Sequence, residues 1–262
     1  MPQETNLNTT PYNDDFDVNK GFYKVLFNPS RPVQARELTT LQSILQNQVE
    51  QFGKHIFKEG SVVIPGNVRY EAPVSAVEIE SDYNGIPISL YFNQLIGKKI
   101  QGQTSGVSAE IFYLLDKKDS ERNNYTLYIK YLQSGSDFQA STFSDGETLI
   151  LQDIVNYSNT SIQPGQGFCN TISTNCNSNG SSVSVAEGVY FVRGYFARVL
   201  PQTILLDQYN IFPSYKIGFN VIETIVTADE DSSLYDNAQG FFNYAAPGAD
   251  RFKLELELDK KV

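Results

Sequence analysis

Between Leu38 and Ile56 the apolar residues Leu38, Leu41, Leu45, Val49, Phe52 and Ile56 recur every three or four positions. That spacing predicts an α-helix with one apolar stripe about two heptads long. Thr39, Gln42, Gln46, Asn47, Gln48 and Gln51 make its other faces polar but scarcely charged. Ser30 offers a cap oxygen, Pro32 suits a first turn and Gly60 a C-terminal stop. Two readings of the stripe stand side by side. Either the helix lies on its own sheet, so the six residues are core, or it packs against its copies, so they are a subunit interface.

From Ser61 the period changes from helical to alternating. "SVVIPG" ends at a Pro-Gly turn, "APVSAVEIES" alternates as a half-buried strand does, and short strands punctuated by Gly and Asn follow. The expected fold class is mainly β (α+β), with several small β-sandwich or barrel modules and one long N-terminal helix. Residues 1–20 are polar and acidic, with Asp14, Asp15 and Asp17 clustered, and read as a flexible arm. Residues 21–85 hold an extended anchor, the helix and the first strands, and 86–156 an inserted barrel or sandwich. Residues 157–182, rich in Asn, Ser and Gly, read as a long exposed loop. Residues 183–262 read as a C-terminal β domain packing with the helix region. Its last strand, "FKLELELDK", puts Leu254, Leu256 and Leu258 on one face as a candidate edge strand.

Charge narrows the partners. The 262 residues carry a formal net charge of −10 and no cluster of Lys or Arg, which disfavours a phosphate backbone as ligand. No stretch approaches the roughly 20 apolar residues of a membrane span, and the N-terminus has no signal-peptide pattern. The chain therefore reads as soluble and made in a cytoplasm. Charged residues are only 19% of the chain, so Asn, Gln, Ser and Thr supply much of the polar surface. Such a surface suits permanent assembly, because amides are easier to desolvate than ions; turns and loops use the same residues.

Catalytic constellations are scarce. The single histidine, His55, sits at the helix end beside Lys54 and Lys58 without a local carboxylate or nucleophile. Cys169 and Cys176, with six residues between them, match no common zinc spacing and read as two free thiols in a loop. A bond between them, with glycans at Asn8, Asn124, Asn156, Asn159 and Asn179, belongs to a secreted-adhesin reading. "PGQGF" lacks the Lys-Ser/Thr of a phosphate loop, and Asp229, Glu230 and Asp231 lack calcium-loop spacing. The sequence thus assigns no catalytic, cofactor-binding or metal-ligating residue. A paired-carboxylate glycosidase stays open, since two distant acids can meet in space.

Two long segments carry a family resemblance. "DVNKGFYKVLFNPSRPVQARELTTLQSILQNQVEQFGKHIFKEGSVVIPG" and "EGVYFVRGYFARV … PSYKIGF … ETIVTADEDSSLYDNAQGFFNYAAPGADRFKLELEL" resemble a domain family of virion structural proteins in tailed phages. The resemblance covers about half the chain, and its "NAQG…NYAAPGADR" run is unusual. It implies a baseplate or tail-fibre component of a contractile-tailed phage, cyanophage-like, with no catalytic residues. Its expected place is the virion tail. Its expected partners are other baseplate and tail proteins and copies of itself, with a trimer favoured. The alternative is a polysaccharide-binding or depolymerising tail protein.

Overall fold

A computed structural model describes residues 3–135 and 139–261. Among them the fold is mostly β with one α-helix, α1 (Ala35–Ile56). The strands in chain order are β1 (Ser61–Ile64), β2 (Val68–Ile79), β3 (Asp82–Tyr83), β4 (Ile86–Pro87), β5 (Lys99–Gly102) and β6 (Ser108–Leu115). Then come β7 (Tyr125–Gln133), β8 (Thr148–Leu151), β9 (Val155–Tyr157), β10 (Thr160–Ile162), β11 (Gly167–Asn170) and β12 (Asn177–Val185). The last five are β13 (Gly188–Val192), β14 (Tyr195–Val199), β15 (Gln202–Asp207), β16 (Lys216–Val226) and β17 (Arg251–Lys261).

These elements fall into two compact units. Unit 2 comprises Val68–Ser184, Thr203–Lys216 and the residues from Lys260 onward. Its frame is an eight-stranded sheet in the order β11-β8-β5-β6-β7-β2-β12-β15. Alternation along β7 supplies both faces. Leu127 and Ile129 enter one cluster with Ile79, Ile100, Ile111 and Leu149, while Tyr128 enters another with Val74, Ala76 and Leu115. The order is open, so no sheet closes into a barrel among the described residues. The sheet also reaches beyond the expected 86–156, because β2, β12 and β15 complete it.

The expected loop at 157–182 is instead built mainly of strands. β9 and β10 form a hairpin through Ser158 at φ 48°, β11 pairs with β8, and β12 joins the large sheet. Small polar residues disguise these strands. Gly180 lies so close to its neighbour that a Cβ there would stand 2.4 Å from the Asp207 carbonyl oxygen. Ser181 and Ser182 are buried beside it. The side chains of Thr148 and Asn170 pair at 2.9 Å, and Asn177 donates to the Phe143 carbonyl at 2.7 Å. Cys169 and Cys176 are free and buried, Cys169 on β11 and Cys176 in the connection just before β12. The Gly/Ser turn expected after β7 falls partly on residues 136–138, outside the described residues.

Unit 1 comprises the chain up to Asn67, Val185–Gln202 and Ile217–Asp259. It holds α1, a three-stranded sheet β1-β13-β14 and the two-stranded ribbon β16-β17. Arg193 and Gly194, both at positive φ, make the two-residue turn between β13 and β14. Tyr190, Val192, Ala197 and Val199 form one cluster with Leu256, while Phe191 on the opposite face meets Phe57 and Phe196 at ring-centroid distances of 5.9 and 5.3 Å. The helix starts later than Ser30 and Pro32 suggest. Ser30 stands at φ 62°, outside the extended region a cap requires, and Glu37 instead accepts the Gln34 backbone N–H at 3.0 Å. Phe57, not Gly60, follows the last helical residue.

Candidate functional site

The acidic N-terminal segment, expected to be a flexible arm, is bonded into unit 1 from Gln3 onward. Glu223 on β16 accepts the Glu4 and Thr5 backbone N–H groups at 3.0 and 2.7 Å and the Thr5 hydroxyl at 2.7 Å. Arg193 completes the staple, donating to Glu223 at 2.7 Å and to Glu4 at 2.6 Å. Burial pushes the Glu223 carboxyl up, but the bonds from Thr5, Arg193 and Glu4 outweigh it and hold the pKa at about 2. Further along, Asp14 is buried and accepts hydroxyl bonds from Ser43 and from Thr40, the latter at 3.1 Å. The sequence misleads here because each acid finds its donors tens to hundreds of residues away.

Those bonds decide which way α1 faces. Its buried residues are Ser43, Ile44, Asn47, Glu50 and Gly53. Gln46 adds a bond to the Gly194 carbonyl at 2.8 Å, and Lys54 pairs with Glu50. Gly53 lets the helix approach closely, since a Cβ there would stand 2.4 Å from the Phe191 ring. At roughly 100° per residue, the apolar stripe lies about 180° from this buried face. The stripe is accordingly in solvent: Leu38, Leu45, Val49, Phe52 and Ile56 are 44–67% exposed, and Leu41 is half-buried. The reading of these residues as core is thereby overturned, because small and polar groups already occupy the inward face.

The chain just before α1 is equally open. Phe22, Tyr23, Leu26, Phe27 and Val33 are exposed in a segment with no regular structure. With the stripe they give unit 1 ten large apolar side chains in water within 35 residues, in contrast to ordinary scattered surface hydrophobics. Along its middle the stripe is flanked by the uncharged Gln42 and Gln48, with Glu37 and His55 beside its two ends.

Leu254, Leu256 and Leu258 behave differently. Leu256 and Leu258 are buried, and Leu254 packs beside the cluster around Tyr190 and Val199. Among the described residues β17 has β16 as its only strand partner. The Gln202 side chain takes the Leu256 carbonyl and the Leu258 N–H, both at 2.7 Å, and so blocks part of its other edge.

Unit 2 carries a cleft of about 360 Å³ that the sequence did not signal. Tyr83, Tyr91, Tyr157 and Phe168 wall it, while Asn84, Ser161 and Gln166 supply uncharged polar groups. Tyr91 donates to the Phe168 carbonyl at 2.5 Å, and its ring lies 5.2 Å from that of Tyr157. Gly167 leaves room for the Tyr83 hydroxyl, which a Cβ would meet at 2.3 Å. Among the described residues no Asp or Glu lines this cleft. His55 is exposed at the helix end, and the described residues include no group of three His, Cys, Asp or Glu able to hold a metal ion. Asp231 caps a short helical turn through the Ser233 N–H at 2.9 Å. Burial pushes the Cys169 thiol well up and the Cys176 thiol to about 12, which suppresses thiolate chemistry. No helix among the described residues is long and apolar enough to cross a membrane.

A family model described as a domain of unknown function (DUF4815) matches residues 10–81 and 112–261. No curated protein matches the chain, and no solved structure does.

Proposed function

The chain belongs to the DUF4815 family, and from that premise we propose that it is a structural subunit that works by assembling with its own copies. The observation that carries this reading is the outward apolar stripe of α1, a helix already fixed to its unit by its polar face. A rigid helix of 22 residues presents a surface about 33 Å long. Identical copies present identical uncharged flanks along the middle of the stripe, so the overall negative charge raises no local barrier to close approach there. Covering the exposed parts of the stripe contributes roughly 1 kcal/mol per side chain, or on the order of 5 kcal/mol per chain. That matches only the low end of the about 4–15 kcal/mol that association costs, so the full interface extends past the stripe. Three helices around an axis satisfy one stripe per chain, and a trimer is the assembly we favour.

The resemblance of the N- and C-terminal segments to virion proteins gives the setting: a baseplate or tail-fibre component of a contractile-tailed phage, non-enzymatic, joined to other tail proteins. Quantitative mass spectrometry of purified particles tests this. The chain is expected at a fixed copy number in mature virions, and its absence from them would refute the assignment.

The unit 2 cleft favours a second reading, as a polysaccharide-binding tail protein. Aromatic walls with amide and hydroxyl groups suit the apolar faces and hydroxyls of a neutral sugar, and the lining has no carboxylate to cleave one. Binding of neutral oligosaccharides that disappears in Tyr157→Ala supports it; no binding at millimolar concentration eliminates it.

A further inference from the structure

We infer that residues 24–33 form an exchange strap, which leaves its own subunit and covers the α1 stripe of a second copy. The inference rests on the self-assembly reading above and names the segment that completes the interface.

Both ends of the strap are fixed within unit 1. On the N-terminal side Asp14 is bonded to Ser43 and Thr40 on α1, and Phe16, Val18, Phe22 and Tyr23 line a small cavity with Ile44 and Asn47. On the C-terminal side the chain enters α1 at Ala35, where the Gln34 N–H is held by Glu37. The strap thus begins beside the middle of the helix and must return to the helix start.

The helix rise from Ala35 to Asn47 is about 18 Å. The eleven residue-to-residue steps from Tyr23 to Gln34 reach about 36–40 Å when extended. The connection is therefore about twice as long as its path requires, and the excess is free to project away from the subunit by a distance comparable to the 8–10 Å between packed helices. Length alone makes only a loop; composition separates this segment from one. Leu26, Phe27 and Val33 are large, apolar and exposed, whereas a solvated connection uses Gly, Ser and Asn. Asn28–Ser30 then supply the turn, with Arg31 N–H bonded to the Asn28 carbonyl and Ser30 at φ 62°. Among the described residues no backbone hydrogen bond ties residues 24–27 to a sheet of their own subunit.

The occupant follows from complementarity. The strap needs an apolar, uncharged surface near the helix, and the stripe needs a cover beyond its symmetry mates. Each copy carries one of each, so exchange within a closed ring satisfies every strap and every stripe, which a foreign partner does at one site only. The strap's charges, Lys24 and Arg31, also oppose the net charge of −10 of the neighbouring copy.

The test is photo-crosslinking of the full chain with the solution mass measured on the same sample. A benzophenone side chain replaces Phe27, and captured peptides are mapped by mass spectrometry. The expected product is a covalent dimer whose second peptide lies within residues 35–56. An assembled sample that captures only its own chain, or another surface, or nothing, overturns the strap and leaves the self-assembly reading intact. A monomeric sample overturns both. In a companion variant, Leu26→Ser with Phe27→Ser, self-association is expected to weaken at least tenfold while circular dichroism stays unchanged. Unchanged association would also overturn the strap.

Discussion

The two units handle their hydrophobic residues in opposite ways. Unit 2 builds the larger enclosed core, with both faces of the strand pair β6-β7 covered and Ile100, Ala109, Ile111 and Leu127 fully buried. Its exposed apolar side chains, such as Leu90, Ile96 and Phe212, are scattered along the chain. Unit 1 encloses a smaller set around Tyr190, Val199 and Leu256, and leaves the α1 stripe and residues 22–33 in water. A folded unit that keeps its polar helix face inside and its apolar face outside is stable in form but incomplete in surface. The apolar helix face that unit 1 leaves exposed is the surface that the proposed assembly would cover.

The contrast is most exposed by paired truncations. Leu127→Ala in unit 2 is expected to cost about 2–5 kcal/mol in urea unfolding, independently of protein concentration. Leu45→Ala is expected to lower stability only through assembly, so its effect vanishes on dilution to the monomer. A concentration-independent loss at Leu45 comparable to that at Leu127 would erase the distinction.

Next in size is Gly53→Ala. In an open helix this exchange stabilises by about 1 kcal/mol, but here the added methyl collides with the buried Phe191 ring. A net loss of about 1–3 kcal/mol is expected by thermal or urea denaturation, and a gain would place the inward face of α1 elsewhere.

The smallest effect concerns the N-terminal staple. Glu223 has its carboxyl held at about 2 against an ordinary 4.5, so the fold favours its ionised form. Its contribution is therefore complete above about pH 4.5 and is lost as the pH falls toward 2. Glu223→Gln should lower stability at pH 7 and flatten the acid limb in that window. Hydrogen exchange at the Glu4 and Thr5 amides should accelerate in the same variant. Unchanged exchange would mean the staple does not hold the segment.

The sequence allowed the helix and the β-rich remainder to be read from period and turn residues. The orientation of α1 was hidden, because a stripe three and four residues apart is the same whether it faces core or neighbour. What turns it outward is Asp14 reaching Ser43, and Gly53 admitting Phe191, contacts made across 29 and 138 positions of sequence. The strands between Val155 and Val185 were hidden for a different reason. Their buried positions include Gly180, Ser181 and Ser182, which fit by being small and leave no hydrophobic alternation. In the candidate site, the stripe residues were legible as a set, while the exposed strap and the aromatic cleft arise only from the folded chain.

The central claim is that the outward stripe of α1 is a joint between copies. Sedimentation velocity of the purified chain, beside Leu45→Asp with Phe52→Asp, tests it most directly. The account predicts a stable oligomer of three chains that falls to a folded monomer in the double variant. A wild-type chain that stays monomeric at high concentration, or a double variant that assembles as before, would contradict it.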